Sequence, residues 1–242
     1  MNSQPIEEQF SEENLDKYIE LGDSQSSEKS NRGNILFKIF VSICLFFIVI
    51  GFYSTFFIDS FDKPKDVPSL DDPHIAYLIE QIQLDEAKLK EEKEMDIVLL
   101  LNYYKNYQDY RLKALADYIA TKSCRDYEGC AAQAIYLFVR DSISYIPDPK
   151  EEYFENPLEV LISGSADCDG KSILLANLLQ QIGIETRFVL IKGHIYVNAY
   201  MPELPFTKKI EGNWVALDPT CKDCEFGEVP FSNIYNQREI II

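Results

Sequence analysis

Between residues 39 and 58 the chain reads IFVSICLFFIVIGFYSTFFI, a run with no charged side chain. A helix that is apolar on every side is either the centre of a large core or a membrane span. At about 1.5 Å per residue the run just crosses a hydrocarbon layer of about 30 Å. We read 35–58 as a single transmembrane helix. The run starts far from Met1 and ends in Phe57 and Ile58, without the small residues that a signal peptidase needs, so the span is expected to stay as an anchor. Lys29, Arg32 and Lys38 precede it and Lys63 and Lys65 follow it. That small excess puts the N-terminus in the cytoplasm and the C-terminal part outside, by the positive-inside rule.

The span divides the chain. Residues 1–33 carry 3 basic and 8 acidic side chains with many Ser, Gln and Asn, and are expected to form a disordered tail. Residues 59–73 hold three prolines among charges and read as a linker. Over 74–120 the pattern becomes helical, with Ile75, Leu78, Ile82 and Leu89, then Val98 and Leu99, on one face. This is expected to be a stalk followed by helices packed onto the domain, with the charged run Glu86 to Glu94 as a solvated face. The same helix is the candidate for a weak homodimer. The formal net charge of −17 repels phosphate backbones, which argues against a nucleic-acid partner.

Residues 121–242 hold the expected catalytic domain. CAAQAIYLFVRDSISYI (130–146) is an amphipathic helix, and NPLEVLISG is a short one that Pro157 begins and Gly164 ends. A third helix runs from 168 to 182 and stops at Gly183. The grammar then changes to β-branched and aromatic residues at 185–192, 194–201 and 213–218, which read as strands. Helices followed by consecutive strands indicate an α+β domain with a mainly antiparallel sheet.

Within SGSADCDGKSILLANLLQQIGI (163–184), residues 165–167 offer an N-cap, which places Cys168 in the first turn of a helix. Unpaired N–H groups and the positive end of the dipole favour a thiolate there, although Asp167 and Asp169 work against it. His194 opens the second strand after Gly193, and Asp218 ends the third before Pro219. Taken singly, each is more often a packed thiol, a structural imidazole or a turn. Together, in this order, they are the nucleophile, base and orienting acid of a thiol enzyme.

Of the other cysteines, Cys44 lies in the apolar run, and four form two close pairs, Cys124 with Cys130 and Cys221 with Cys224. Outside the cell these pairs suit disulfides; as four thiolates they suit one structural zinc site. Spacing alone does not choose between the two. A redox role for Cys221 and Cys224 is a weaker option, since no thioredoxin-type helix pattern follows them.

GSADCDGKSILLANLLQQIGIETRFVLIKGHIYVNAY followed by NWVALDPTCKDCEFGEVP resembles the transglutaminase-like superfamily, particularly its short microbial and archaeal members. The three boxes cover about residues 130–230, with Ala166 and Gly170 departing from the common pattern. The resemblance implies a papain-like α+β transglutaminase core in which Cys168 is nucleophile, His194 base and acid, and Asp218 the residue orienting His194. It also implies an oxyanion donor at the Cys168 backbone N–H. Trp214 matches the tryptophan before the Asp box and is expected to pack the core.

A Cys–His–Asp set transfers acyl groups through a thioester. Hydrolysis of a protein or peptide substrate is expected, since no further domain for recognising protein amines is evident. Cross-linking of glutamine to amines, or tethered binding without turnover, are the alternatives. No D-x-D-x-D-G loop occurs, so no calcium requirement and no cofactor is expected beyond the zinc option.

Overall fold

A computed structural model describes residues 37–50, 63–84, 96–125, 128–148, 153–205, 208–228 and 239–241. It divides into two units, Met1–Ser60 and Phe61–Ile242. The tail over 1–33, the charged run 86–94 and the second part of the apolar run, 51–58, lie outside the described residues.

In the first unit, residues 37–50 form a helix, α1. Its large apolar side chains, from Phe37 to Ile50, are each 38–66% exposed. Among the described residues no helix is long and apolar enough to cross a membrane.

The second unit contains α2 (Pro73–Leu84), α3 (Ile97–Lys105), α4 (Tyr110–Ser123), α5 (Glu128–Ser142), α6 (Pro157–Ser163) and α7 (Cys168–Gln181). Its strands are β1 (Ser144–Tyr145), β2 (Ser165–Ala166), β3 (Thr186–Ile191), β4 (His194–Tyr200), β5 (Trp214–Leu217) and β6 (Glu239–Ile241). The order β5-β4-β3-β6 makes a sheet that is antiparallel throughout. The result is a mixed helix-and-sheet core, as the order of helical and strand patterns implies.

The core is built around α7. Ile173, Leu174, Leu175, Leu178 and Leu179 are fully buried because α7 packs against α3, α4, α5 and α6 and against β3 and β4. Burying each such side chain is worth about 1.5–3 kcal/mol. Three polar side chains of α7 fix its position. Ser172 Oγ donates to the Ile195 carbonyl at 3.1 Å, Lys171 Nζ to those of Ile143 at 2.7 Å and Arg140 at 3.1 Å, and Asn177 Nδ2 to those of Tyr104 and Tyr107 at 2.8 Å. The first bond ties the start of α7 to the start of β4.

Val98 and Leu99, expected on the apolar face of 74–120, are instead exposed. Two further features depart from the sequence reading. The helix expected over 130–146 ends at Ser142, and Ser144–Tyr145 become β1, paired in parallel with β2. A bond from the Ile146 N–H to the Ala166 carbonyl at 3.1 Å extends this pairing, which satisfies backbone groups that a helix would have left at its end. The second is β6, which lies on β3 as a further antiparallel strand. Ile75, Leu78 and Ile82 of α2 are buried in the core of their own unit, so the apolar face of that helix is already covered.

Candidate active site

Asp167 caps α7. Its Oδ1 accepts from the Asp169 N–H at 3.0 Å, and the half-buried Cys168 follows as the first helical residue. Sequence and structure agree here for a local reason. An N-cap residue with extended backbone before an apolar run is all a helix start requires.

His194 and Asp218 arrive from adjacent strands. The turn Lys192–Gly193 joins β3 to β4, and Gly193 has φ of 71°, a backbone state that suits glycine. Asp218 follows β5 directly and is fully buried. His194 Nε2 lies 2.8 Å from Asp218 Oδ2, while the other carboxylate oxygen, Oδ1, accepts from the Thr220 N–H at 3.0 Å and from Thr220 Oγ1 at 2.7 Å. The Cys168 side chain lies close enough to the same ring to act on its protonation. Since Nε2 faces Asp218, Nδ1 is the nitrogen left for the thiol. Of the three residues singled out in the sequence, His194 and Asp218 are in direct contact, and Cys168 lies beside the ring.

The electrostatics follow from these contacts. Burial disfavours a charged His194, but the hydrogen bond to Asp218, the nearby Cys168 and the charges of both outweigh it and raise the ring to about 9. Burial likewise opposes ionised Asp218, yet the bonds from His194 and Thr220 hold its carboxyl below the ordinary value. A protonated imidazole beside the sulfur, backed by an ionised carboxylate, is the arrangement that stabilises a thiolate.

A second group of carboxyls flanks the nucleophile. One oxygen each of Glu155, Asp167 and Asp169 lies within 4.8 Å of the others, a spacing that could hold a cation. Asp169 is 1% exposed. Burial, and then the neighbouring Asp167, push its carboxyl far above the carboxylate range, so it keeps a proton at neutral pH. Burial also raises Glu155 to about 7, with the charges of Asp167, Asp148 and Glu159 adding to it. Glu155 comes from the segment before α6, and nothing in its sequence context announced it. Thr220 was visible in the D-P-T box but had no assigned role.

The two cysteine pairs form disulfides, Cys124–Cys130 and Cys221–Cys224. Trp214 is only half-buried. The Arg187 guanidinium lies 4.2 Å over its ring and Tyr200 meets it edge-on at 5.3 Å, so the expectation of a core tryptophan is met in part.

Residues 113–219, which include Cys168, His194 and Asp218, match the profile of the transglutaminase-like superfamily core. Over this stretch the chain is similar to the transglutaminase-like superfamily. Solved structures that resemble it include a proposed protease from Parabacteroides distasonis (18% identity, TM-score 0.38) and a proposed cysteine protease from Cytophaga hutchinsonii (18%, 0.38). Legionella pneumophila LapG is a third (16%, 0.36). These matches cover 50%, 57% and 55% of this chain and 25%, 47% and 77% of the others, so the chain spans less than half the length of the first two. Comparison with curated protein sequences finds no match.

Proposed function

We propose that this protein is a membrane-anchored thiol enzyme that hydrolyses peptide or amide bonds through Cys168, His194 and Asp218. The observation that carries the reading is the pairing of His194 with Asp218, Nε2 to Oδ2 at 2.8 Å, with Cys168 close enough to the ring to act on its protonation.

The chemistry follows from the hydrogen bonds. His194 Nδ1 holds the proton taken from the Cys168 thiol, while Nε2–H donates to Asp218 Oδ2 and fixes the ring. The thiolate attacks the substrate carbonyl, and the oxyanion is met by the Cys168 backbone N–H at the start of α7. The imidazolium returns its proton to the departing amine, leaving a thioester. Water then gives a proton to His194 as it attacks the thioester, and Cys168 is regenerated as the acid leaves.

The exposed apolar face of α1 supports the anchor, since a helix bare on every side in water would be costly. Both disulfides support an extracytoplasmic C-terminal domain, where such bonds persist. The N-terminus is then cytoplasmic.

The test is incubation of the full chain, in detergent, with a peptide library and a fluorescent primary amine, with Cys168→Ala alongside. New peptide termini that depend on Cys168 support hydrolysis. Amine incorporation at glutamine instead makes the protein a cross-linker, and neither product in any condition favours a tethered binding module.

A further inference from the structure

Disulfide Cys221–Cys224 lies in the loop that directly follows Asp218, and the mechanism makes no use of it. Several attachments of this loop lead back to the triad acid. Thr220 holds Asp218 Oδ1 through both its N–H and its hydroxyl. The Cys221 N–H donates to the Asp218 carbonyl at 3.3 Å, and the Cys224 N–H to the Cys221 carbonyl at 3.3 Å. On the far side, the Tyr136 hydroxyl of α5 lies 3.3 Å from both the Asp218 and the Cys224 carbonyls, and Arg140 Nη1 donates to the Cys224 carbonyl at 2.8 Å. Tyr136 has one proton for two acceptors, so it holds both ends of the loop only while they stay together. The covalent link between Cys221 and Cys224 keeps them so.

Little else does. Residues Lys222 and Asp223 are exposed, and the turn bonds at 3.3 Å are long. Closing a loop this short constrains the unfolded chain less than closing a long one, so the bond acts locally more than on the whole fold. Cys124–Cys130 differs in that it joins two helices, the end of α4 to the first turn of α5.

We propose that Cys221–Cys224 is a redox-reversible clasp on Asp218, which holds the carboxylate against His194 when oxidised and releases it when reduced. The proposal rests on the triad reading. The reductant is a dithiol. Its thiolate attacks the sulfur of Cys221, the more exposed residue, and Cys224 leaves as a thiolate that takes up a proton. The second thiol of the reductant then displaces Cys221, so that two electrons pass from the dithiol, which ends as a disulfide, to the protein, which ends as two thiols. With the loop open, Thr220 no longer fixes Asp218 Oδ1, His194 loses its orientation, and Cys168 becomes less reactive.

The experiment measures the rate of iodoacetamide alkylation at Cys168, read by peptide mass, on the full chain in detergent without reductant. Wild type is compared with Cys221→Ser/Cys224→Ser, Cys124→Ser/Cys130→Ser and His194→Ala. Opening the loop should slow Cys168 roughly tenfold or more, as expected for a misplaced catalytic contact, towards the rate of His194→Ala. The Cys124/Cys130 variant should keep the wild-type rate. Should the loop variant fail to fold, a dithiothreitol titration of wild type decides. Cys168 reactivity must then fall in step with reduction of Cys221–Cys224 and return on reoxidation. An unchanged Cys168 rate with the loop pair open, while His194→Ala still slows it, overturns the clasp alone. Equal rates in wild type and His194→Ala overturn the triad and the clasp together.

Discussion

The carboxylate of Glu155 occupies the space that a side chain at Gly170 would need: a Cβ there would lie 2.6 Å from Glu155 Oε2 and 2.7 Å from Ala166 Cβ. The transglutaminase-like pattern that the sequence resembles often has an aspartate at this place. Here the acidic group arrives from the segment before α6 instead, and the helix gives up its own side chain to admit it. Gly170→Ala should destabilise the fold by about 1–3 kcal/mol, the range for overpacking. Adding Glu155→Ala should restore only part of that loss, because Ala166 cannot swing away. Urea unfolding of the three proteins checks this, and full recovery in the double variant would show that Glu155 alone sets the limit.

Glu155 also gives the stability a pH dependence. Its carboxyl is raised to about 7 by burial and acidic neighbours, above the unfolded value of 4.5. The folded state therefore holds the proton more tightly, and stability is lost as pH rises from the unfolded value through the folded one. Glu155→Gln should accordingly raise the melting temperature more at pH 8 than at pH 5 when both are measured in EDTA. An equal change at the two values would mean that Glu155 does not titrate in this window.

Lys171 is 1% exposed and is held at about 8, first by burial and then by the charge of Lys222. Its amine donates to two backbone carbonyls where α5 ends and β1 approaches, so Lys171→Met leaves both acceptors buried without their donor. The expected cost is about 2–6 kcal/mol, each acceptor left unpaired costing about 1–3 kcal/mol. Lys171→Arg should not rescue it, since a planar guanidinium cannot follow the geometry of a compact ammonium. A methionine variant as stable as wild type would make these bonds energetically neutral.

Much of the site was legible because its signals are local. Asp167 before an apolar run marks the start of α7, Gly193 marks the turn into β4, and Pro219 marks the end of β5, so Cys168, His194 and Asp218 could each be placed at an element's end. What brings them together is not local. Ser172 bonding the Ile195 carbonyl and Thr220 bracing Asp218 depend on packing that spacing does not encode. β1 was hidden for a similar reason: ISYI continues an amphipathic pattern, and only its pairing with β2 makes it a strand. Glu155 was missed because its partners lie more than ten positions further along the chain, and β6 because it is three residues long.

Thr220 makes a graded test of the acid's orientation. Thr220→Val removes the hydroxyl bond to Asp218 Oδ1 and keeps the backbone one. Its effect on Cys168 alkylation should therefore be smaller than that of Asp218→Asn, which alters the hydrogen bond that selects the His194 tautomer. Equal losses in the two variants would assign the whole effect of Asp218 to its contact with Thr220.

The most direct test of the triad is the pH profile of Cys168 alkylation in the full chain, with His194→Ala and Asp218→Ala measured alongside. His194, raised to about 9, stays protonated through neutral pH and can hold the sulfur as a thiolate there. Wild type should therefore keep reacting under mildly acidic conditions in which His194→Ala has stopped, with Asp218→Ala between them. Superimposable profiles for the three proteins would contradict a Cys168–His194–Asp218 triad.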